Sequence, residues 1–263
     1  METENGPGPA RRLAELMLTS ESTVALTGAG ISVPSGIPDF RSPGTGLWER
    51  VDPMEVAHID VFRRDPERFW TFYGQRFHVL DDKRPNRAHE LLASLERSRL
   101  LKAVITQNID GLHGRAGTRA LVEVHGTVAH SSCLRCGASY ALADVRARHA
   151  ADRRGVPRCD CGEPLKPDVV LFGEYLPLGA FERAQRLAEE AELMLCIGSS
   201  LEVYPVAELP LRTLAGGGRL AIVTRGPTPL DERAVVRLTG DVVEELETVA
   251  AELGLTRAPP ASS

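Results

Sequence analysis

The chain has 263 residues, of which 43% are hydrophobic and 25% charged, with a formal net charge of -5. That length holds one large domain, or one large domain with a small insert. The acidic balance argues against a nucleic-acid binder, which needs a basic face, and no apolar run approaches the roughly 18 residues that cross a bilayer.

The N-terminus, METENGPGPARR, lacks the apolar stretch of a secretory signal, and residues 1–9 and 256–263 read as flexible tails. A cytoplasmic protein, probing no membrane and acting as a monomer, is the expectation. Thr23–Thr27 then reads as a buried strand. Residues 44–83 hold Pro, Gly and aromatics without strand patterning and read as a helical insert. Asn86–Leu95 is amphipathic, Lys102–Gln107 is a second strand, and Leu121–Val124 is a short third. Residues 127–166 carry four cysteines, a helical stretch at Leu142–Ala151 and too little apolar content to fold without a staple. Phe181–Ala191 reads as helix, Leu193–Gly198 as strand, Arg219–Thr224 as the strand that closes the set, and Asp241–Leu253 as the last helix. Strands alternating with helices argue for a parallel sheet covered on both faces.

Cys133-Leu-Arg-Cys136 precedes Cys159-Asp-Cys161 by 22 residues, 137 to 158. Two close cysteine pairs at such a separation point to a tetrahedral structural zinc, because four soft thiolates fill every coordination position and leave none for water. The second pair is C-x-C rather than C-x-x-C, which tightens that knuckle. Cys196 lies inside an apolar strand and reads as core.

The first strand runs into Gly28-Ala-Gly30-Ile-Ser32, a tight turn of the kind that brings backbone N–H groups to a phosphate. The dehydrogenase fingerprint needs a third small residue where Val33 stands, and an acidic strand end about 20 residues on is missing. An ordinary dehydrogenase is therefore disfavoured, and a plain βα turn without ligand stays open on this motif alone.

Longer motifs surround that turn. Gly28-Ala-Gly-Ile-Ser-Val-Pro-Ser-Gly-Ile-Pro-Asp-Phe-Arg41, Thr106-Gln-Asn-Ile-Asp-Gly-Leu-His113, His125-Gly126, Lys166-Pro-Asp-Val-Val-Leu-Phe-Gly-Glu174 and Gly198-Ser-Ser-Leu-Glu-Val-Tyr-Pro205 occur in this order around the cysteines. Together, over roughly residues 10–255, they resemble the sirtuin family of NAD-dependent protein-lysine deacylases. The resemblance implies an α/β fold with a Rossmann-like parallel sheet, helices on both faces, and a small zinc-binding and helical lobe. The large domain would comprise residues 10–43, 84–126 and 167–255, with NAD+ and an acylated lysine meeting in the cleft beside the lobe.

The same resemblance assigns roles. Ala29, Gly30 and Ser32 would line the cofactor pyrophosphate, with Gly28 and Val33 also in the cofactor site and Phe40 and Arg41 on a loop over it. Gln107, Asn108, Ile109 and Asp110 would hold nicotinamide and ribose. Gly198, Ser199, Ser200, Thr224, Arg225 and Val242 would bind the remainder, Thr224 standing where the family commonly has Asn. His125, with Asn108 and Asp110, would be catalytic. The acyl oxygen attacks the ribose C1′, nicotinamide leaves, and His125 deprotonates a ribose hydroxyl that takes the acyl group. Val170, Leu171, Phe172, Gly173 and Glu174 would form one wall of the peptide cleft, and Leu201, Glu202 and Val203 the other, the substrate backbone adding as a strand. Core packing stays open for the apolar members.

Deacetylation is the expected reaction, as in the bacterial and archaeal branch. Tyr73 and Arg76 reproduce a Tyr-x-x-Arg pair found in family members that remove succinyl or malonyl groups, and an arginine there suits a terminal carboxylate. Mono-ADP-ribosyl transfer shares the first chemical step and stays open, whereas intact Asn108, Asp110 and His125 argue against a non-catalytic NAD-binding module.

Overall fold

A computed structural model describes residues 7–38 and 52–255. The elements run α1 (Pro9–Thr19), β1 (Thr23–Thr27), α2 (Pro53–Val56), α3 (Ile59–Arg64), α4 (Pro66–Asp81), α5 (Arg87–Arg97), β2 (Ala103–Thr106), α6 (Leu112–Arg115), β3 (Leu121–Glu123), β4 (Gly126–Cys133) and β5 (Ser139–Ala141). They continue with α7 (Leu142–Ala151), β6 (Leu165–Val169), α8 (Leu178–Glu189), β7 (Leu193–Ile197), α9 (Leu209–Ala215), β8 (Arg219–Val223), β9 (Ala234–Leu238) and α10 (Val242–Glu252). No described helix is long and apolar enough to cross a membrane.

Six strands form a parallel sheet in the order β3-β2-β1-β7-β8-β9. Every residue of β1, β2 and β7 is buried. That is why these strands read as unbroken apolar runs rather than alternating ones. Alternation survives in which face each side chain serves. Ala25, Val104 and Leu195 join Leu13, Met17, Leu92 and Val249 from α1, α5 and α10 on one face. Val24, Leu26 and Ile105 join Ala184, Ala188 and Leu209 from α8 and α9 on the other.

The strand set does not close at Arg219–Thr224 as the sequence suggested. β9 pairs with β8 and forms the sheet edge. Its polar Arg237, ion-paired with Asp231 at 2.6 Å, hides a strand that is only partly buried. The chain moves outward from β1 through β2 to β3, then returns past β1 to β7. The order reverses between β1 and β7, and the crevice at such a switch point, outside the strands' carboxyl ends, is where α/β sheets bind ligands.

A second, three-stranded antiparallel sheet has the order β5-β4-β6. It shares one core with α3 and α4: Phe62, Phe69, Trp70 and Phe77 lie with Val128, Val145, Val156 and Leu165. The sequence separates residues 44–83 from 127–166. The structure packs α3 and α4 of the first segment against the second in one shared core. Trp70 Nε1 donates to Leu165 O at 3.0 Å across the join. Phe69 is fully buried and meets Phe62, Trp70 and Tyr73 at ring separations of 5.3, 5.8 and 4.9 Å. Phe69→Ala is expected to cost about 3–5 kcal/mol, read as a lower denaturation midpoint by tryptophan fluorescence.

Candidate active site

The loops after β1, β2 and β7 meet at the switch point. Gly28, Gly30 and Gly198 let them interlock. A Cβ on Gly30 would fall 2.7 Å from Gly198 Cα, and Gly198 itself has φ +60°. These glycines therefore serve loop-to-loop approach, and Ala29 and Gly30 remain partly exposed at the crevice.

Behind them lies a buried polar network. Ser32 Oγ donates to Asp110 Oδ2 at 2.7 Å and accepts from Asn108 Nδ2 at 3.1 Å; Asn108 Nδ2 also reaches Gly28 O at 3.1 Å. The family resemblance assigns Ser32 to the pyrophosphate. Ser32 is 1% exposed and its hydroxyl is engaged by Asn108 and Asp110, so it sets those two side chains. Asp110 Oδ1 also accepts the Leu112 N–H at the start of α6, at 2.9 Å. Burial raises its carboxyl pKa, opposed by the Leu112 and Ser32 hydrogen bonds. Ile109 O is taken by Val128 N–H at 3.1 Å, so the Ile109 N–H is the group its backbone offers a ligand.

Four residues of this network escaped the sequence reading. Thr27 Oγ1 donates to Thr106 Oγ1 at 2.8 Å, and His113 Nε2 lies 2.9 Å from Thr27 Oγ1. His89 Nε2 lies 3.5 Å from Ser32 Oγ, and its Nδ1 accepts Asn86 N–H at 3.4 Å in a capping box. That acceptor role places the His89 proton on Nε2. Burial holds His89 down to about 4 and His113 to about 3. Both are thus neutral in the fold, while the unfolded chain binds protons below about 6.5. The sign follows: stability is full above that value and is lost as pH falls from about 6.5 towards the folded values. A melting temperature declining steadily from pH 7 to 5 is expected, and a flat profile would contradict it.

His125 sits in the turn between β3 and β4. Its Nδ1 lies 2.9 Å from Gln107 O. Only a protonated Nδ1 can donate to a carbonyl, so Nε2 keeps its lone pair. Burial lowers the imidazole pKa, partly offset by the Gln107 bond. Gln107 Nε2 donates to Ser199 Oγ at 2.9 Å, tying the β2 loop to the β7 loop.

The predicted peptide walls are partly core. Leu171 and Leu201 are 4% exposed and pack inward, and their backbone N–H groups are bonded to Glu174 Oε2 and Ser199 Oγ. Phe172 is 44% exposed. Its N–H and C=O are already paired, with Ala57 O and Ile59 N at 2.9 Å each. Gly173, at φ +82°, makes no backbone hydrogen bond among the described residues. Val170 N–H bonds His125 O at 2.8 Å, joining this wall to the histidine turn. Val170 and Val203 are partly exposed and Glu202 exposed.

Other predicted residues are less well placed. Arg225 pairs with Asp241, the cap of α10, at 2.8 Å. Val242 is buried in the core, Val33 is exposed, and Ser200 and Thr224 are partly exposed. Tyr73 stacks on Phe77 at 5.2 Å within the small-lobe core. Phe40, Arg41 and the Arg76 side chain lie outside the described residues.

The cysteine quartet assembles as expected. Cys133 and Cys161 sulfurs lie 3.6 Å apart, Cys136 and Cys159 sulfurs 3.5 Å, and all four fall within 4.8 Å of one another. Disulfides need about 2.05 Å, whereas zinc–sulfur bonds of about 2.3 Å in a tetrahedron place sulfurs about 3.8 Å apart. The donor set fits a structural zinc and not a bridge.

Fold and crevice together define a nucleotide-binding α/β protein with a thiolate-stapled lobe. The Sir2 family model matches residues 28–205, and the chain belongs to the Sir2 family. It is similar to the NAD-dependent protein deacetylase of Sulfolobus acidocaldarius, 49% identical over 86% of this chain and 87% of that one. The Thermotoga maritima NAD-dependent protein deacetylase is 44% identical over 94% and 99%. Among solved structures, Sir2 with a deacetylated p53 peptide and 3′-O-acetyl ADP-ribose superposes with a TM-score of 0.89 at 44% identity, covering 94% of this chain and 99% of that one. Sir2 with a p53 peptide and NAD+ gives 0.86 at 44% identity, covering 93% and 98%.

Proposed function

We propose that this protein is an NAD-dependent protein-lysine deacetylase, giving nicotinamide, O-acetyl-ADP-ribose and free lysine. The observation that carries this reading is the juxtaposition of His125, its Nδ1 committed to Gln107 O, with the Asn108–Ser32–Asp110 network at the carboxyl end of β2. The names of the relatives support it. NAD+ supplies a glycosidic bond to nicotinamide, whose loss leaves an electrophilic sugar carbon.

The chain's own residues do the rest. Asn108 and Asp110, fixed by Ser32, suit a carboxamide and a ribose, because each presents hydrogen-bonding atoms that cannot rotate away. Their preorganisation removes the orientational cost of bringing the amide oxygen to the sugar. His125 Nε2 accepts a proton from a ribose hydroxyl, and the lowered pKa keeps it unprotonated at neutral pH. The acid limb of kcat/KM for the peptide is therefore expected below pH 6.5, and a limb above that value would contradict the assignment. Gly173 offers backbone groups for strand-like peptide pairing. A neutral acyl-lysine can pass apolar Val170 and Phe172, whereas a free ammonium there would carry a desolvation cost.

Acetyl is the acyl group this reading favours. Tyr73 is engaged in the small-lobe aromatic stack. Paired peptides carrying acetyl- or succinyl-lysine, each with and without NAD+, test the choice. Faster NAD-dependent loss of succinyl would make Tyr73 and Arg76 the specificity pair. Gain of ADP-ribose mass on the protein substrate would favour ADP-ribosyl transfer.

A further inference from the structure

Lys166 is only 7% exposed, unusual for a residue type that is rarely buried unless paired. Its three ammonium protons meet three acceptors: Pro167 O at 3.1 Å, Val169 O at 2.8 Å and Glu174 Oε2 at 2.9 Å. Glu174 Oε2 also accepts the Leu171 N–H at 2.9 Å, while Glu174 N–H bonds Leu171 O at 3.0 Å. The 171–174 turn is thus clamped in both directions, with Gly173 at its tip. Lys166 itself is paired with Ser132 on β4, next to the Cys133–Leu165 pair. We propose, resting on the deacetylase reading, that Lys166 and Glu174 are positioning residues. Their ion pair carries the rigidity of the zinc-bearing sheet to the wall that takes the substrate backbone.

The test is Lys166→Met, which keeps the stem and removes the charge, in steady-state kinetics of the full chain with an acetyl-lysine peptide. Peptide KM is expected to rise about tenfold while KM for NAD+ stays within about twofold. Equal changes in both constants, or none, overturn the proposal. If Lys166→Met does not fold, Glu174→Gln, which keeps the Leu171 contact and loses the charge, is read by the same split. A wild-type enzyme without NAD-dependent turnover would instead defeat the functional reading beneath it.

The zinc staple carries a second inference independently. In the first knuckle Gly137 N–H bonds Cys133 O at 3.0 Å and Cys133 N–H bonds Ala138 O at 2.9 Å. In the second, Gly162 N–H bonds Cys159 O at 2.9 Å and Cys159 N–H bonds Glu163 O at 2.8 Å, so each rung closes one residue earlier.

The shortened knuckle meets a side chain of β5. Tyr140 Oη lies 3.4 Å from Cys159 Sγ and accepts the Asp160 N–H at 3.2 Å. Arg148 lies 4.3 Å over the Tyr140 ring and holds the Asp160 carboxylate and Arg158 O at 2.8 Å each. We infer that Tyr140 completes the shortened knuckle, passing the Asp160 N–H through its hydroxyl to the Cys159 thiolate, and so slows zinc release.

Zinc transfer from the loaded protein to an excess of chromogenic chelator reads this directly. Tyr140→Phe is expected to release zinc about tenfold faster, the usual scale for partners behind metal ligands. A glycine inserted after Asp160 restores the longer knuckle and should make release insensitive to Tyr140→Phe. A Tyr140→Phe rate within about twofold of wild type, or equal acceleration in both knuckle lengths, overturns the inference.

Discussion

His125→Ala is expected to yield a folded, zinc-loaded protein whose deacetylation rate falls about 10²–10⁴-fold, the usual contribution of a general base. The structure explains why folding should survive. The His125 imidazole makes one side-chain hydrogen bond among the described residues, to Gln107 O. Losing that bond costs about 1 kcal/mol, small beside the kinetic effect. Turnover near wild type would remove the residue from the mechanism. An unfolded variant would show that the imidazole holds the turn between β3 and β4.

Stripping the zinc, or Cys133→Ser, should produce the largest loss of stability. Structural zinc in small peptides contributes an apparent 10–16 kcal/mol. Cys133 pairs with Leu165 in the antiparallel sheet, and Leu165 O is the acceptor of Trp70 Nε1. Losing the metal therefore disturbs the α4 core as well as the knuckles. The expected result is aggregation or a melting transition far below that of the loaded protein. An unchanged transition after complete metal removal, checked by elemental analysis, would refute a structural role.

Much of this was legible in the chain, for stated physical reasons. β1, β2, β7 and β8 announce themselves because strands buried on both faces must be apolar throughout. The cysteine quartet did so because zinc dictates both ligand type and spacing. The edge strand β9 was hidden by Arg237, since an edge strand needs no continuous apolar run. The shared core of the small lobe was hidden for a different reason. Phe69 and Trp70 find Val145, Val156 and Leu165 only through tertiary packing across some 75 residues or more of sequence. The site was similarly divided. Motifs located Asn108, Asp110 and His125, yet nothing in the order of residues says that Ser32 turns away from the crevice, or that His89 from α5 backs it. Hydrogen-bond networks assemble residues from β1, β2, α5 and α6, and that meeting is fixed by sheet order rather than by spacing.

NAD-dependent deacetylation is tested most directly by a mass-balance assay on the zinc-loaded protein with an acetyl-lysine peptide and NAD+. One nicotinamide and one O-acetyl-ADP-ribose are expected for each lysine freed, with no reaction without NAD+. Release of free acetate without NAD+ consumption, or NAD+ consumption without deacetylated peptide, would contradict it.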